Sequence, residues 1–341
     1  MSFKKKFNPE SDRCDFFESI VDSTVSRNMP YSELSSHFDQ HVVKTGLCTI
    51  DSDETLFKMI LVEIKEKKEY ALIVSIGHTI ADGYTFYTLY GMLDGSTPVQ
   101  SLTVERQQSF ATTLEEVRGP VFIKWVKSLP VLIGILFNKF IRRRPPGVIY
   151  KVNMKYIEEV KKNFQAQLQL QLGADTSVFI STNDIITSWF FHLCQCNLGM
   201  MAINLRNRFI SYTDTHAGNY ETVLWYNRSD YSQPVFIRDS LKVCRSKSSR
   251  VPSVIDSLWL QFGMISNWSG FYSEVSLGGS SRPVCHMPLT SLHDRVFRDH
   301  CNIFHLDKDT LAVFLTCRSV DIEQLVMSGD TRVNLLGERV L

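Results

Sequence analysis

Between residues 56 and 93 the hydrophobic pattern changes period twice. Residues 56–64 (LFKMILVEI) alternate in part between apolar and polar, residues 70–76 (YALIVSI) are apolar almost throughout, and the charged run KEKKE at 65–69 parts them. Partial alternation followed by a continuous apolar run predicts a β-hairpin whose second strand is covered on both faces. After Gly83, YTFYTLYGML (84–93) places apolar residues at helical spacing. The order is therefore strand, a turn containing His78, helix. Residues 119–146 read as a crossover ending in RRRPPG, where two prolines stop any helix.

A second lobe is expected from Val148, with a short strand at 148–152 and an amphipathic helix at 156–170. Ser181-Thr182-Asn183-Asp184 form an N-cap cluster ahead of a helix at 185–194. MMAINLRNR and ETVLWY read as core strands, 302–306 and 311–317 flank DKD as a hairpin, and a last helix lies near 320–327. No repeat or low-complexity tract interrupts this order. Strands and helices mix without a regular βαβ beat, which predicts an α/β fold with mixed sheets. The expected division is an N-terminal lobe at 1–118, a crossover at 119–147 and a C-terminal lobe at 148–341.

Composition admits a large core: 44% of the 341 residues are hydrophobic and 21% charged, as in folded proteins. The net charge of +1 gives no reason to expect nucleic acid. Eight cysteines (Cys14, Cys48, Cys194, Cys196, Cys244, Cys285, Cys301 and Cys317) show no CxxC spacing, the usual sign of a zinc site; no metal is expected. The opening MSFKKKFNPESD is basic and then polar, without the apolar core of a signal peptide. Free thiols in a reducing, cytoplasmic compartment are the expectation, and the sequons at Asn227 and Asn267 are then chance matches. No apolar run reaches the ~20 residues of a membrane span. The nearest, 129–137, precedes Arg142-Arg143-Arg144. A packed helix or crossover with a solvated basic end is preferred there over a face laid on lipid phosphates. A monomer is the default.

Chemistry centres on HTIADG (78–83). With an ordinary pKa of about 6.5, a histidine is the natural general base near neutrality. Asp82 follows four residues later, placed either to orient the imidazole or to pin the loop by pointing away from it. Gly83 lets the backbone bend or approach a ligand closely. One His and one Asp at this spacing are weak evidence by themselves.

HTIADG matches the HxxxDG motif of the chloramphenicol acetyltransferase-like superfamily, including the plant-type BAHD acyltransferases, and follows a predicted strand as it does there. STNDIITSWFFHLC (181–194) resembles that family's ST-x-D helix start, INLRNRF (203–209) its "lRxR" strand, AGNY (217–220) its GN turn, and SNWSGFYSEVSLGG (266–279) its SW…DFGWG segment. The motifs fall in the family's order from about residue 30 to the C-terminus.

The resemblance implies a two-lobed fold with a tunnel at the lobe interface, open at both ends, and His78 at the junction. His78 then takes the proton from a hydroxyl or amine of a small-molecule acceptor as that atom attacks the thioester of an acyl-coenzyme A. Acyl-CoA is a co-substrate, and no bound cofactor is implied. Asp82 is implied to be structural and paired with Arg206. Arg142 to Arg144 could also meet the phosphates of coenzyme A, although no Gly-rich loop accompanies them.

The chain departs from the family in three places. Ser276-Leu277-Gly278-Gly279 stands where DFGWG is usual, so Ser276 and Gly278 are only candidates for an oxyanion donor or loop role; Trp268 keeps the upstream tryptophan. Gly77 replaces the second histidine usual in condensation domains and wax-ester synthases. The motif also arrives early, which implies a reduced or incomplete N-terminal lobe. The rival expectation is a non-catalytic member that binds acyl-CoA or a hydrophobic ligand. Cys194 and Cys196 read as packing residues, and His286, His293, His300 and His305 as surface or strand histidines.

Overall fold

The computed structural model describes residues 16–22, 24–26, 29–44, 49, 51–64, 69–140, 147–172, 178–209, 211–246, 251–253, 261–277, 283–289 and 299–340. Arg142 to Arg144, Gly278, Gly279, His293, Cys14 and Cys48 lie outside them.

Two sheets organise the chain. The smaller contains β1 (Phe17–Val21), β2 (Phe57–Ile64) and β3 (Glu69–Ile76) in that order, with β1 parallel and β3 antiparallel to β2. The predicted hairpin forms, but its cover is the reverse of the expectation. β2 is central and buries Ile60, Val62 and Ile64, whereas β3 is an edge strand of the described sheet with Tyr70 exposed. Apolar continuity in 70–76 does not mean burial on both faces. Only Ile73 is buried there, and the other apolar side chains are partly covered.

Among the described residues the larger sheet has seven strands. In chain order β4 is Val148–Val152, β5 Leu198–Asn204, β6 Glu221–Tyr226, β7 Phe262–Asn267, β8 Asp299–His305, β9 Leu311–Thr316 and β10 Leu336–Arg339. Their spatial order is β10-β4-β9-β8-β7-β5-β6. β7 runs parallel to both β5 and β8, and the other pairs are antiparallel, so the sheet is mixed as expected.

Helices cover both faces. On one, Ile185, Ile186, Phe190 and Phe191 of Thr182–Leu193 pack over Met201, Ile203 and Ile265. On the other, Phe122 and Trp125 of Pro120–Val126 meet Leu198, Met200 and Trp225. Alternate residues of β5 thus enter two cores, as period-2 geometry requires. Close approach is needed at Gly199, where a Cβ would lie 2.5 Å from ring carbons of Phe191.

The helix Phe110–Arg118, in the stretch assigned by sequence to the first lobe, buries Phe110 and Val117 in the larger core. The following apolar stretch forms the helix Leu129–Phe140, with Val131 buried and Leu129, Leu132 and Ile133 exposed. No helix among the described residues is long and apolar enough to cross a membrane. The helix Tyr31–Phe38 joins the sheets. Leu34 and Phe38 pack on Ile60 and Val62, while Tyr31 enters a cluster with Ile149, Phe304 and Phe314.

Candidate active site

β3 ends at Ile76, and the Gly77 N–H donates to the Leu56 carbonyl at 2.8 Å, closing the hairpin. The chain then turns, with the Ile80 N–H donating back to the Gly77 carbonyl, and His78 lies in that turn. The next helix, Gly83–Gly91, starts at an N-cap that explains half of the motif. Asp82 is extended (φ −86°, ψ 178°) and its Oδ1 accepts the Thr85 N–H at 2.9 Å. The aspartate thus satisfies one of the helix's orphan donors.

The other carboxylate oxygen of Asp82 faces inward. Oδ2 accepts from Arg206 Nη1 at 2.7 Å and from the Tyr220 backbone N–H at 2.9 Å. Arg206 was read as part of a continuous strand, but β5 stops at Asn204 and the chain turns at 206–208, with Asn207 at φ 59°. That turn sends the guanidinium towards Asp82. All five of its N–H groups have acceptors. Nε donates to the His216 carbonyl, Nη1 to Asp82 and to Asn204 Oδ1, and Nη2 to Thr85 Oγ1 and the Gly218 carbonyl. The rings of Tyr84 and Tyr220 lie 4.5 and 5.1 Å from the guanidinium carbon. Both charged side chains are buried, which is tolerable because each charge is met and each polar atom bonded.

This network fixes His78 from the larger sheet. Gly218 of the AGNY turn is at φ 117°, a conformation open to glycine. The next residue, Asn219, donates from Nδ2 to the His78 carbonyl at 2.7 Å. The imidazole itself points outward: its side chain is 67% exposed, and Nε2 lies 3.4 Å from Oε1 of Glu221, the first residue of β6. The ring is therefore not walled in.

Glu221 was not singled out from sequence. Its only signal was its place directly after the GN turn, because its pairing with His78 joins two sheets. Burial raises the Glu221 carboxyl above its ordinary value of 4.5; the charges of His78 and Arg206 oppose this and that of Asp82 adds to it.

The sign of the consequence follows from linkage. The folded chain holds this proton more tightly than the unfolded one, so the favourable contribution is present below pH 4.5 and is lost as pH rises through the raised value. At pH values above its ordinary 4.5, Glu221 therefore makes a contribution that opposes folding. Glu221→Gln is expected to raise the thermal midpoint at pH 7, with the gain shrinking towards pH 4; an unchanged or lowered midpoint at pH 7 would contradict the account.

Glu221 also lines a small, half-open cleft. Asp82, Gly83 and Tyr84, the ends of β5 and β7, and Trp268 and Phe271 line it, the last two packing against Gly83 and Tyr84. The Trp268 indole covers the start of the helix: a Cβ on Gly83 would sit 3.6 Å from Nε1. That Nε1–H donates to Ser266 Oγ at 2.8 Å.

Ser276 is not brought to the cleft. The segment leaving Trp268 runs along the helix to its other end, where Ser273 meets Gly91 and the Ser276 N–H donates to Asp94 Oδ1 at 2.9 Å. The nine-residue helix is ~13 Å long, so its length separates Ser276 from the His78 turn. As an oxyanion donor Ser276 is set aside on that geometry.

His286 also differs from its expectation. It lies outside the strands, mostly enclosed, bonding Tyr87 Oη at 3.2 Å, and burial lowers its pKa. Cys194 and Cys317 face each other with sulfurs 2.8 Å apart, near Asp299; burial pushes the Cys194 thiol well up.

No protein-family model matches the sequence, and no curated protein is similar to it. Solved structures do match in shape. TRI101 of F. sporotrichioides, complexed with coenzyme A and T-2, has a TM-score of 0.55 at 14% identity, over 96% of this chain and 82% of that one. TRI101 of F. graminearum, complexed with coenzyme A and deoxynivalenol, has 0.55 at 13%, over the same shares. Vinorine synthase has 0.53 at 14%, over 95% and 77%. The fold is that of the chloramphenicol acetyltransferase-like acyltransferases. Within the chloramphenicol acetyltransferase-like frame, the cleft lies where the start of the helix after the His78 turn meets the ends of β5, β6 and β7.

Proposed function

We propose that the chain is an acyl-CoA-dependent acyltransferase of the plant-type BAHD kind, with His78 as general base. The observation that carries this reading is the open imidazole 3.4 Å from Glu221, a lining residue of the cleft, on a turn whose backbone is held by Asn219 and whose following residues are locked by Asp82 and Arg206.

In this reading the acceptor's nucleophilic atom attacks the thioester carbonyl, and His78 removes its proton. Collapse of the tetrahedral intermediate breaks the C–S bond, and the proton passes from the imidazolium to the departing thiolate. The acceptor leaves acylated and coenzyme A leaves as its thiol. Holding base, acceptor and thioester together supplies up to roughly 7–11 kcal/mol of the barrier reduction. Asp82 and Arg206 take no part in proton transfer, since their polar atoms are already engaged.

A second reading, a protein that keeps the fold and binds acyl-CoA or a hydrophobic ligand without turnover, draws support from the 67% exposure of the His78 side chain. A base that open to water gains less from a dry site. The two readings part in one assay: thiol release from acetyl-CoA and a longer acyl-CoA, with a panel of alcohols and amines. Release above the protein-free rate, with acylated acceptor found by mass spectrometry, is expected; binding of the thioester without release would favour the second reading.

A further inference from the structure

We infer that the acceptor is a primary amine with an apolar or aromatic body, and that Glu221 is the group that selects it. This rests on the acyltransferase reading and goes beyond it by naming the acceptor class.

The argument starts from proton count. An alcohol must lose one proton to become an ester oxygen. A primary amine arrives at neutral pH as an ammonium and must lose two, one before it can attack and one afterwards. A site for alcohols needs one proton acceptor, whereas a site for ammonium acceptors gains from two. Here the His78 imidazole nitrogen stands 3.4 Å from a carboxylate oxygen of Glu221, and Glu221 is a lining residue of the cleft.

The charge in the cleft points the same way. Of its described charged lining residues, Asp82 is neutralised by Arg206, which leaves the Glu221 carboxylate. Its only ion-pair partner among the described residues is His78. A burial-penalised carboxylate favours a cation beside it. Tyr84, Trp268 and Phe271 line the same space and offer apolar contact to the body of an acceptor.

The sequence balances as follows. The ammonium gives its first proton to the Glu221 carboxylate, which passes it to solvent. The freed lone pair forms the C–N bond, His78 takes the second proton, and that proton leaves on the coenzyme A sulfur as the C–S bond breaks. Ammonium and thioester yield amide, thiol and one released proton.

The test uses acetyl-CoA with two matched pairs, 2-phenylethylamine against 2-phenylethanol and tryptamine against tryptophol, each differing only in NH2 for OH. Thiol release is followed at pH 7 for the wild type, Glu221→Gln and Glu221→Asp, with uncatalysed aminolysis subtracted. The amine-to-alcohol ratio of kcat/KM is expected to fall roughly a hundredfold in Glu221→Gln, the lower end for a lost proton-transfer group, and to recover in part in Glu221→Asp. A ratio that Glu221→Gln leaves in place overturns the inference while leaving the transferase reading intact. If no pair is turned over, calorimetric titration with 2-phenylethylammonium decides. Binding that weakens at least tenfold in Glu221→Gln supports the cation site while the transferase reading fails, and equal or absent binding overturns the inference.

Discussion

Replacing Asp82 by asparagine is expected to lower the stability of the fold by about 3–5 kcal/mol, the usual cost of removing one partner from a buried ion pair. The substitution keeps the side-chain shape and can still cap the Thr85 N–H. What it removes is the negative charge opposite Arg206, whose guanidinium is buried and held by four further acceptors. Those bonds keep the cation in place, and it becomes an unpaired charge in the interior. Arg206→Met should cost a similar amount, since it strands the carboxylate instead. The double variant is expected to lose clearly less than the sum of the two, because neither charge is then left alone. Chemical denaturation of the four proteins completes the cycle; strictly additive losses would show that carboxylate and guanidinium are not coupled. Transfer activity should fall with each single variant, since the network sets where the His78 turn sits against the larger sheet.

Local features of this site could be read from the chain. From sequence Asp82 only orients the imidazole or pins the loop, and the N-cap role it also has goes with its place just ahead of a glycine and a helical apolar pattern. Ser181 likewise closes a capping box with Asp184. The hairpin, the strand at 148–152 and ETVLWY followed from periodicity because each is set by its own residues.

Non-local features were not legible. Which strand of the hairpin lies at the edge depends on where the short, mostly exposed β1 pairs, and FESIV carries little apolar signal. The path of 266–277 along the whole helix depends on its contacts with Gly83, Gly91 and Asp94 rather than on its own pattern. Glu221 is silent for the same reason. It opens a well-predicted strand, and only the packing of one sheet against the other sets its carboxylate beside an imidazole.

His78 itself gives the second large effect. Its ring contributes little to the fold: it is mostly exposed, and its recorded side-chain interaction is the ion pair with Glu221. The backbone anchor from Asn219 uses the carbonyl, which alanine retains. His78→Ala should therefore fold with a denaturation midpoint close to that of the wild type, while losing the group that accepts the nucleophile's proton. Few substitutions separate function from folding so cleanly.

The decisive measurement is thiol release from acetyl-CoA, with the best acceptor of the panel, by wild-type protein and by His78→Ala matched for folded fraction. The account predicts a loss of about 10²–10⁴-fold in kcat/KM at unchanged stability. Equal rates from the two folded proteins would contradict it.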